Sequence, residues 1–224
     1  MVQHVVEAAW RSAALSVTVA TDDQRIHDSV IDFGGSAIMT SNIHQSGSDR
    51  IAEACAKLEL AEKECVVNVQ GDEPQMPPEI INQVATLLFE HSKASIATLC
   101  TPITDESELL NPSIVKVVMA EAGNAMYFSR APVPWKRSDG SSNLVQDAYK
   151  GAMRHLGIYA YSSGYIQSFT QKSPSPPEQT EQLEQLRALW YGDIIVCREA
   201  AVVPPAGIDD QGDLERVRAN FTSR

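Results

Sequence analysis

The sequence predicts an α/β fold in which a mixed, mainly parallel β-sheet is flanked by helices. Along the first 100 residues, apolar runs typical of strands alternate with amphipathic stretches typical of helices, and this rhythm characterises parallel α/β units. The strongest strand signal lies at residues 66–69 and is followed by Gly71, Asp72 and Pro74. This pattern is typical of a buried strand that opens into a tight turn, and ligands of open α/β sheets bind just past the carboxyl ends of strands.

Length and composition favour one domain that spans residues 1–224. Hydrophobic residues make up 43% of the 224 residues, which is enough for a packed core. The formal net charge of −11 argues against nucleic acid or an anionic membrane surface as a partner, because both require a basic patch. A nucleotide ligand stays compatible with this charge, since a local arginine cluster or a metal ion can overcome it.

Cysteine usage and hydropathy indicate a cytoplasmic protein without a membrane segment. Cys55, Cys65, Cys100 and Cys197 are scattered and form no C-x-x-C pair, which argues against zinc and favours free thiols in a reducing compartment. No apolar run approaches the roughly 20 residues that a membrane span needs. We also find no charged and apolar leader typical of a signal peptide.

The N-terminal part of the chain follows the helix–strand rhythm closely. Apolar residues at helical spacing predict a first helix at residues 1–14, while Asp23 and Gly34 mark the start and the end of a second one. A third helix is expected to begin near Ser46 or Ser48, which are both suitable N-caps, and to end near residue 60. The strands expected between these helices lie at residues 15–20 and 37–39.

Proline positions and apolar patterns predict the remaining elements. Two prolines at residues 77–78 are expected to start a helix that ends near His91. A proline-rich break at residues 173–177 separates later helices, and the polar stretch at residues 136–149 is predicted to be a surface loop. Further strands are expected at residues 95–100, 114–119, 125–129, 154–161 and 194–197. Further helices are expected at residues 164–171, 180–190 and 214–221.

Several polar residues in these elements have both a functional and a plain structural interpretation. A carboxylate on Asp72, just past a strand, suits a hard divalent cation that carries phosphates, but an ordinary surface turn would use the same residue. Arg50 lies in the first turn of a helix, where a cation opposes the helix dipole, so it indicates either a ligand or a solvated side chain. For His155 the alternative is a structural histidine, and for Glu184 and Gln185 it is a solvated helix face.

Six short motifs, taken together, resemble one family. They lie in the same order as in bacterial 3-deoxy-manno-octulosonate (Kdo) cytidylyltransferases, the CMP-Kdo synthetases of lipopolysaccharide biosynthesis. The resemblance runs from Met1 to the last predicted helix. Each motif is weak alone, whereas six in sequence are specific. The motifs occupy residues 44–50, 69–74, 127–130, 155–159, 183–187 and 207–209.

The resemblance implies a nucleotide-diphospho-sugar transferase fold of Rossmann-like type, with a small extension for homodimer formation. It implies CTP and Kdo as substrates and Mg²⁺ as the cofactor, held by Asp72 and Asp209 as catalytic residues. It implies a cytidine site at His44, Ser46, Gly47 and Arg50. It also implies a Kdo pocket formed by Gln70, Arg130, Arg137, His155, Tyr159, Glu184 and Gln185. Residues of about 130–190 would contribute both this pocket and the dimer surface.

One departure from the family concerns the start of the chain. Members of the family begin with a strand and a basic glycine-containing loop that cradles the triphosphate, whereas Met1 of this sequence falls inside the helix that follows them. Positioning and charge stabilisation account for most of the catalysis in this type of transfer. We therefore expect a chain of this sequence to turn over CTP slowly, and to lose stability through the strand edges that it exposes.

Three alternatives stay open on the sequence alone. The same arginines would serve a cytidylyltransferase for another acidic sugar, such as 8-amino-Kdo or a sialic acid. A non-catalytic subunit would keep the dimer surface and the sugar pocket without turnover. A Rossmann-type dehydrogenase is disfavoured, because no G-x-G-x-x-G motif follows any expected strand.

Overall fold

The structure is a computed structural model that describes residues 1–44, 46–135 and 151–205, together with residues 207, 208, 212, 215, 217 and 218. The predicted loop at residues 136–149, Arg137 and Asp209 therefore lie outside the described residues. Of the last predicted helix, Gly212, Glu215, Val217 and Arg218 are described and are helical. Within the described ranges, no helix is long and apolar enough to cross a membrane.

The N-terminal elements confirm the predicted alternation of helices and strands. Strands β1 and β2 pair in parallel, with Thr18 opposite Ser36. The Asp23 carboxylate caps α2 by accepting a hydrogen bond from the backbone N–H of Arg25, and Gly34 ends this helix with a φ of 84°. The elements are α1 (Val2–Trp10), β1 (Thr18–Thr21), α2 (Gln24–Asp32), β2 (Ser36–Met39) and α3 (Gly47–Lys57).

The remainder of the chain supplies the larger sheet and the helices that cover it. The helix α5, which the sequence did not predict, has five residues and is too short to show a helical period. The elements are β3 (Cys65–Asn68), α4 (Pro78–Glu90), β4 (Ile96–Pro102), α5 (Glu106–Leu110), β5 (Lys116–Met119), β6 (Ala125–Ser129), β7 (Met153–Ser162), α6 (Ser163–Phe169), α7 (Pro176–Glu181), α8 (Gln185–Trp190) and β8 (Ile195–Glu199).

The sheet is mixed, as predicted, but it is not mainly parallel. Among the described strands, only β1–β2 and β4–β8 pair in parallel, whereas β7 runs antiparallel to β3, β4 and β5. The expectation failed because an apolar run indicates that a strand is buried and carries no information about its direction. The same strand signal at residues 66–69 predicted full burial, but all four residues of β3 are only half-buried.

Strand β7 shares one of its edges between two partners. Along this edge, β3 pairs with the C-terminal part of β7, from Asn68 opposite Tyr159 to Cys65 opposite Ser162. Strand β5 pairs with the N-terminal part at residues 153–154, and the backbone N–H of His155 donates to the Val115 carbonyl at 2.8 Å. Residues 156–158 lie between the two pairings and have no strand partner on this edge in the described part of the chain. We call this stretch the β7 gap.

Two apolar cores cover the two faces of the larger sheet. One core joins α3, α6 and α8 to the sheet and includes Cys55, Phe128, Ile166 and Leu186. The other core lies under α1 and α4 and includes Val84. Tyr159 and Tyr161 of β7 belong to the first face, while Leu156, Ile158 and Ala160 belong to the second. This partition agrees with the alternation that the sequence predicts for β7.

The helix expected at residues 180–190 is broken, so this expectation is wrong. Gln182 adopts the left-handed conformation, with φ 53° and ψ 48°, and it ends α7 before α8 begins at Gln185. The apolar spacing continued across the break and concealed it. The break places Glu184 just before α8, at its N-cap position.

A buried ion pair holds α7 against α8. The Arg187 guanidinium donates through Nε and Nη2 to the Glu178 carboxylate at 2.5–3.1 Å, and it lies over the Phe169 ring at 4.8 Å from the ring centroid. Glu178 also forms a reciprocal capping box with Ser175 at the start of α7. The proline-rich break predicted at residues 173–177 therefore contains the N-terminus of a helix.

We predict that Arg187→Met destabilises the protein by about 3–5 kcal/mol, because it leaves the Glu178 carboxylate buried without its cation. Chemical denaturation would measure this loss. The double variant Arg187→Met/Glu178→Gln should recover a large part of it. Arg25→Met, which removes a cation from a solvent-exposed pair with Asp23, is the control and should cost far less. Equal losses for Arg187→Met and Arg25→Met would contradict the prediction.

Candidate functional site

The β7 gap lies where the chain leaves β3 in an exposed turn. Strand β3 ends at Asn68, and Gln70, Gly71 and Asp72 follow as solvent-exposed residues. Within β7, Gly157 is exposed at the same place. The turn after β3 and the unpaired stretch of β7 therefore border one opening at the sheet edge, where the sequence predicts the site.

Asp72 presents an exposed carboxylate beside the segment that leads to Asp209. Within the described residues, this carboxylate takes no hydrogen bond and no ion pair. The Ile208 backbone N–H donates to the Asp72 carbonyl at 3.0 Å. A Cβ at Gly207 would lie 3.2 Å from the Glu73 carboxylate and 3.3 Å from the Asp72 carbonyl, so the two chain segments pack closely. Asp209 follows Ile208 directly in sequence.

The residues present fit a magnesium ion in their chemistry. No cluster of three or more His, Cys, Asp or Glu side chains that could hold a metal occurs among the described residues. Mg²⁺ needs fewer protein ligands than that, since it keeps water and substrate oxygens in its coordination sphere. An exposed, unpaired carboxylate on Asp72 is a suitable oxygen ligand, and the joint role of Asp72 and Asp209 stays a prediction.

His155 is a neutral histidine whose tautomer follows from its hydrogen bonds. The Thr98 hydroxyl donates to the Ile158 carbonyl at 2.8 Å, and it lies 2.9 Å from Nε2 of His155. A hydroxyl has one proton, so we assign the His155 Nε2–H as the donor to Thr98. Nδ1 then carries a lone pair and can accept a hydrogen bond. Burial lowers the pKa of His155 to about 3, which keeps the ring neutral.

Tyr159, Glu184 and Gln185 are the next polar residues of the expected sugar pocket after His155. The rings of His155 and Tyr159 lie 5.4 Å apart between centroids. The pKa of Tyr159 is raised by burial and, to a smaller extent, by the charge of Glu184. Gln185 is 6% exposed, so the alternative interpretation of a solvated helix face is wrong for this residue. One side-chain atom of each residue, Oε1 of Glu184 and Nε2 of Gln185, is buried without a hydrogen-bond partner.

Arg130 is anchored to the backbone around this surface. Its guanidinium nitrogens donate to the carbonyls of Glu181, Pro112 and Gln182 at 2.7, 3.0 and 3.4 Å. Its own carbonyl accepts a hydrogen bond from Nζ of Lys116, which is fully buried. These contacts fix Arg130 beside the α7–α8 break. A guanidinium has five N–H donors, so a carboxylate ligand can still be bound as predicted.

The expected cytidine residues surround the N-terminus of α3. Ser46 caps this helix, with its Oγ accepting from the Asp49 backbone N–H at 3.2 Å. Arg50 donates to the Thr40 hydroxyl at 2.7 Å and pairs with Asp22 at 3.2 Å. The charge of Arg50, which opposes the helix dipole, is therefore already paired with a carboxylate of the protein. No atom lies within 4 Å of a Cβ placed at Gly47, which leaves its surface open.

His44 is held in front of α3 by Glu53. The Glu53 carboxylate accepts hydrogen bonds from the Ser41 backbone N–H and from Lys57, and it also contacts Nε2 of His44. Hydrogen bonds from Lys57, Ser41 and His44 lower the pKa of Glu53 to about 2. The segment before α3 is thereby tied to the helix.

One hydrogen bond joins the expected nucleotide and sugar sides. The Ser48 hydroxyl, in the first turn of α3, donates to Oε2 of Glu184 at 2.7 Å. From the sequence, Ser48 is expected as a possible N-cap and as part of the turn that meets the cytidine, whereas Thr98 and Lys116 are not predicted to take part. Nothing in the sequence places Ser48 and Glu184 together, because they lie 136 residues apart. The structure thus brings together Ser48, His155, Tyr159, Glu184 and Gln185.

Two solved structures share the fold at low identity. A 4-diphosphocytidyl-2C-methyl-D-erythritol synthase is 14% identical with a TM-score of 0.60, over 97% of this chain and 88% of that one. A putative glucose-1-phosphate thymidylyltransferase from Bacillus anthracis is 15% identical with a TM-score of 0.63, over 98% of this chain and 81% of that one.

Closer relatives define the family. The family described as Cytidylyltransferase matches residues 1–196. The 3-deoxy-manno-octulosonate cytidylyltransferases of Idiomarina loihiensis and Hahella chejuensis are 52% and 50% identical, over 97% and 98% of this chain and 87% and 86% of their own lengths. The chain belongs to the cytidylyltransferase family and, within it, to the 3-deoxy-manno-octulosonate cytidylyltransferases. A solved CMP:2-keto-3-deoxy-manno-octonic acid synthetase complexed with CTP is 39% identical with a TM-score of 0.87, over 99% of this chain and 87% of that one.

The low pKa of His155 predicts a pH-dependent contribution to stability. In the folded state the ring stays neutral down to about pH 3, whereas in the unfolded chain it gains a proton below its ordinary pKa of 6.5. This contribution is therefore fully present above pH 6.5 and is lost as the pH falls toward 3. In His155→Gln, which keeps an N–H donor for Thr98, the unfolding free energy should fall less between pH 6.5 and 4.5 than in the wild type.

Urea denaturation at several pH values would measure this difference. Identical pH dependence for the wild type and His155→Gln would show that His155 does not titrate as we predict.

Proposed function

We propose that this protein transfers CMP from CTP to Kdo and releases pyrophosphate. The observation that carries the proposal is the hydrogen bond between Ser48 and Glu184, because it joins the expected cytidine motif to a polar surface suited to a sugar acid. The relatives that bear the name of this activity support it over nearly the whole chain. We expect the anomeric hydroxyl of Kdo to attack the α-phosphorus of CTP while pyrophosphate leaves.

In this proposal the chain contributes binding and orientation of the two substrates. The hydroxyl groups of the sugar would donate hydrogen bonds to Nδ1 of His155 and Oε1 of Glu184. They would also pair with the side-chain amide of Gln185. A site that makes such hydrogen bonds rejects analogues that lack the hydroxyls, because its polar groups would then stay unpaired. Arg130, together with Arg137, would bind the sugar carboxylate through planar bidentate contacts.

The nucleotide would lie at the N-terminus of α3, and Asp72 would border it from the turn after β3. Gln70, in the same turn, would face the sugar. Mg²⁺, held by Asp72 and Asp209, would supply charge neutralisation at the phosphate oxygens when it is bound. His44, Ser46, Gly47 and Arg50 would meet the cytidine.

We further propose a cytoplasmic homodimer that acts in lipopolysaccharide biosynthesis. The four cysteines are free thiols, which fits a reducing compartment. The segment from Tyr165 to Phe169 and the region around Ser175 would contribute to the dimer surface, as the family resemblance implies. Analytical ultracentrifugation of the purified protein would test the dimer directly.

The activity is tested by incubating the purified protein with CTP, Mg²⁺ and a panel of sugar acids. Pyrophosphate release and mass spectrometry of the product would report the reaction. We expect CMP-Kdo from Kdo and at least tenfold lower kcat/KM with a sialic acid. A wild-type protein that transfers CMP to none of the sugar acids would refute the proposed function.

Asp72→Asn is expected to lower kcat by about 100-fold or more, because it removes a charge that orients the metal-bound phosphates. Calorimetry should still detect Kdo binding to this variant, since Asp72 is not expected to contact the sugar. Asp32→Asn is the matched control, because Asp32 is exposed at the end of α2. Activity of Asp72→Asn equal to that of Asp32→Asn would contradict the role of Asp72.

A further inference from the structure

The carboxylate of Glu184 depends on one hydroxyl for its orientation. Within the described residues, the Ser48 Oγ–H, at 2.7 Å from Oε2, is the only hydrogen-bond donor to this carboxylate. The nearest cation is Nη2 of Arg187, which lies 3.7 Å from Oε1 and already donates to Glu178. This distance allows an ion pair but exceeds that of a hydrogen bond.

The second oxygen of the same carboxylate has no hydrogen-bond partner among the described residues. Oε1 of Glu184 is buried and accepts no hydrogen bond. Nε2 of Gln185, the next residue, is also buried and donates none. Buried polar atoms are rarely left unpaired in folded proteins, and an unpaired one destabilises the ligand-free state. These two atoms, an acceptor and a donor on consecutive residues, match a ligand that carries hydroxyl groups.

We propose that Ser48 is a positioning residue that orients Glu184 for the sugar acid and thereby sets the affinity for this substrate. Ser48 acts through Glu184 and does not itself contact the sugar. The proposal rests on the proposed function, which supplies the sugar acid as the ligand of Glu184. Beyond the proposed function, a residue of the motif at residues 44–50, which is expected to bind the cytidine, determines the affinity for the sugar.

The position of Ser48 explains why this effect should be selective. Ser48 lies in the first turn of α3, next to Gly47 and Ser46, yet its hydroxyl proton points away from this motif and toward Glu184. A hydroxyl has one proton, so this proton is not available for a phosphate or a base while it bonds Glu184. Loss of the hydroxyl should therefore affect sugar binding more than nucleotide binding.

The test compares Ser48→Ala, which removes the donor, with Ser48→Thr, which keeps it. We expect Ser48→Ala to raise the KM for Kdo about tenfold, in line with the loss of a hydrogen bond to a charged group, while kcat and the KM for CTP change by less than about twofold. Ser48→Thr should restore the KM for Kdo to within about threefold of the wild-type value. Thermal melting of each variant verifies that it is folded.

A second pair of variants tests whether Ser48 acts through Glu184. In the Glu184→Gln background, Ser48→Ala should change the KM for Kdo by less than about twofold, because the carboxylate that it orients is already gone. Additive effects of the two substitutions would overturn the proposal.

Three further results would overturn the proposal while the wild type is active. They are an unchanged KM for Kdo in Ser48→Ala, a raised KM for CTP in place of Kdo, and a folded Ser48→Thr that behaves like Ser48→Ala. A wild-type protein that accepts no sugar acid would instead refute the proposed function itself, and this inference with it. The two failures are therefore distinguishable.

Discussion

The antiparallel pairing of β7 with two partners along one edge is the constraint on which the site depends. Strand β3 pairs with residues 159–162 and β5 with residues 153–154, so the intervening β7 gap cannot be closed by either strand. The turn after β3, with Gln70 and Asp72, leaves the sheet at this gap. The same strand carries His155 and Tyr159 to the face covered by α3 and α8. One pairing pattern thus sets where the turn after β3 leaves the sheet and on which face of β7 the polar side chains lie.

Buried charges fix α7, α8 and β5 relative to one another. The Arg187–Glu178 pair holds α7 to α8, and Arg130 binds the backbone at the break between them. Lys116 donates to the carbonyls of Asn111, Ile114 and Arg130 at 2.6–3.0 Å, which connects this break to β5. A buried charged side chain that uses its hydrogen-bond donors on protein groups holds those groups in a defined geometry. Any movement that separates the partners would leave a buried polar group unpaired, which is costly. The position of Glu184 follows from this network and from Ser48.

Sequence reasoning predicted the local structure well and the long-range arrangement less well. Caps such as Asp23 and Ser46, and the strands of β4 to β8, follow from propensity and period, which are local properties. Strand direction in β7 and the break at Gln182 do not, because apolar spacing is the same for either direction and continues across a left-handed residue. The candidate residues His155, Tyr159, Glu184 and Gln185 came from motifs, and the structure places them on one surface. The contact of Ser48 with Glu184, which joins them to α3, was missed because the two residues lie far apart in the sequence.

The most direct test of this account is a crystal structure of the protein with Kdo and a non-hydrolysable CTP analogue. The account predicts the sugar at the β7 gap, with hydroxyl groups within hydrogen-bond distance of Oε1 of Glu184 and Nδ1 of His155. It predicts the cytidine at the N-terminus of α3 and the α-phosphate between the sugar and Asp72. A sugar bound away from β7, or an α-phosphate remote from the turn after β3, would contradict it.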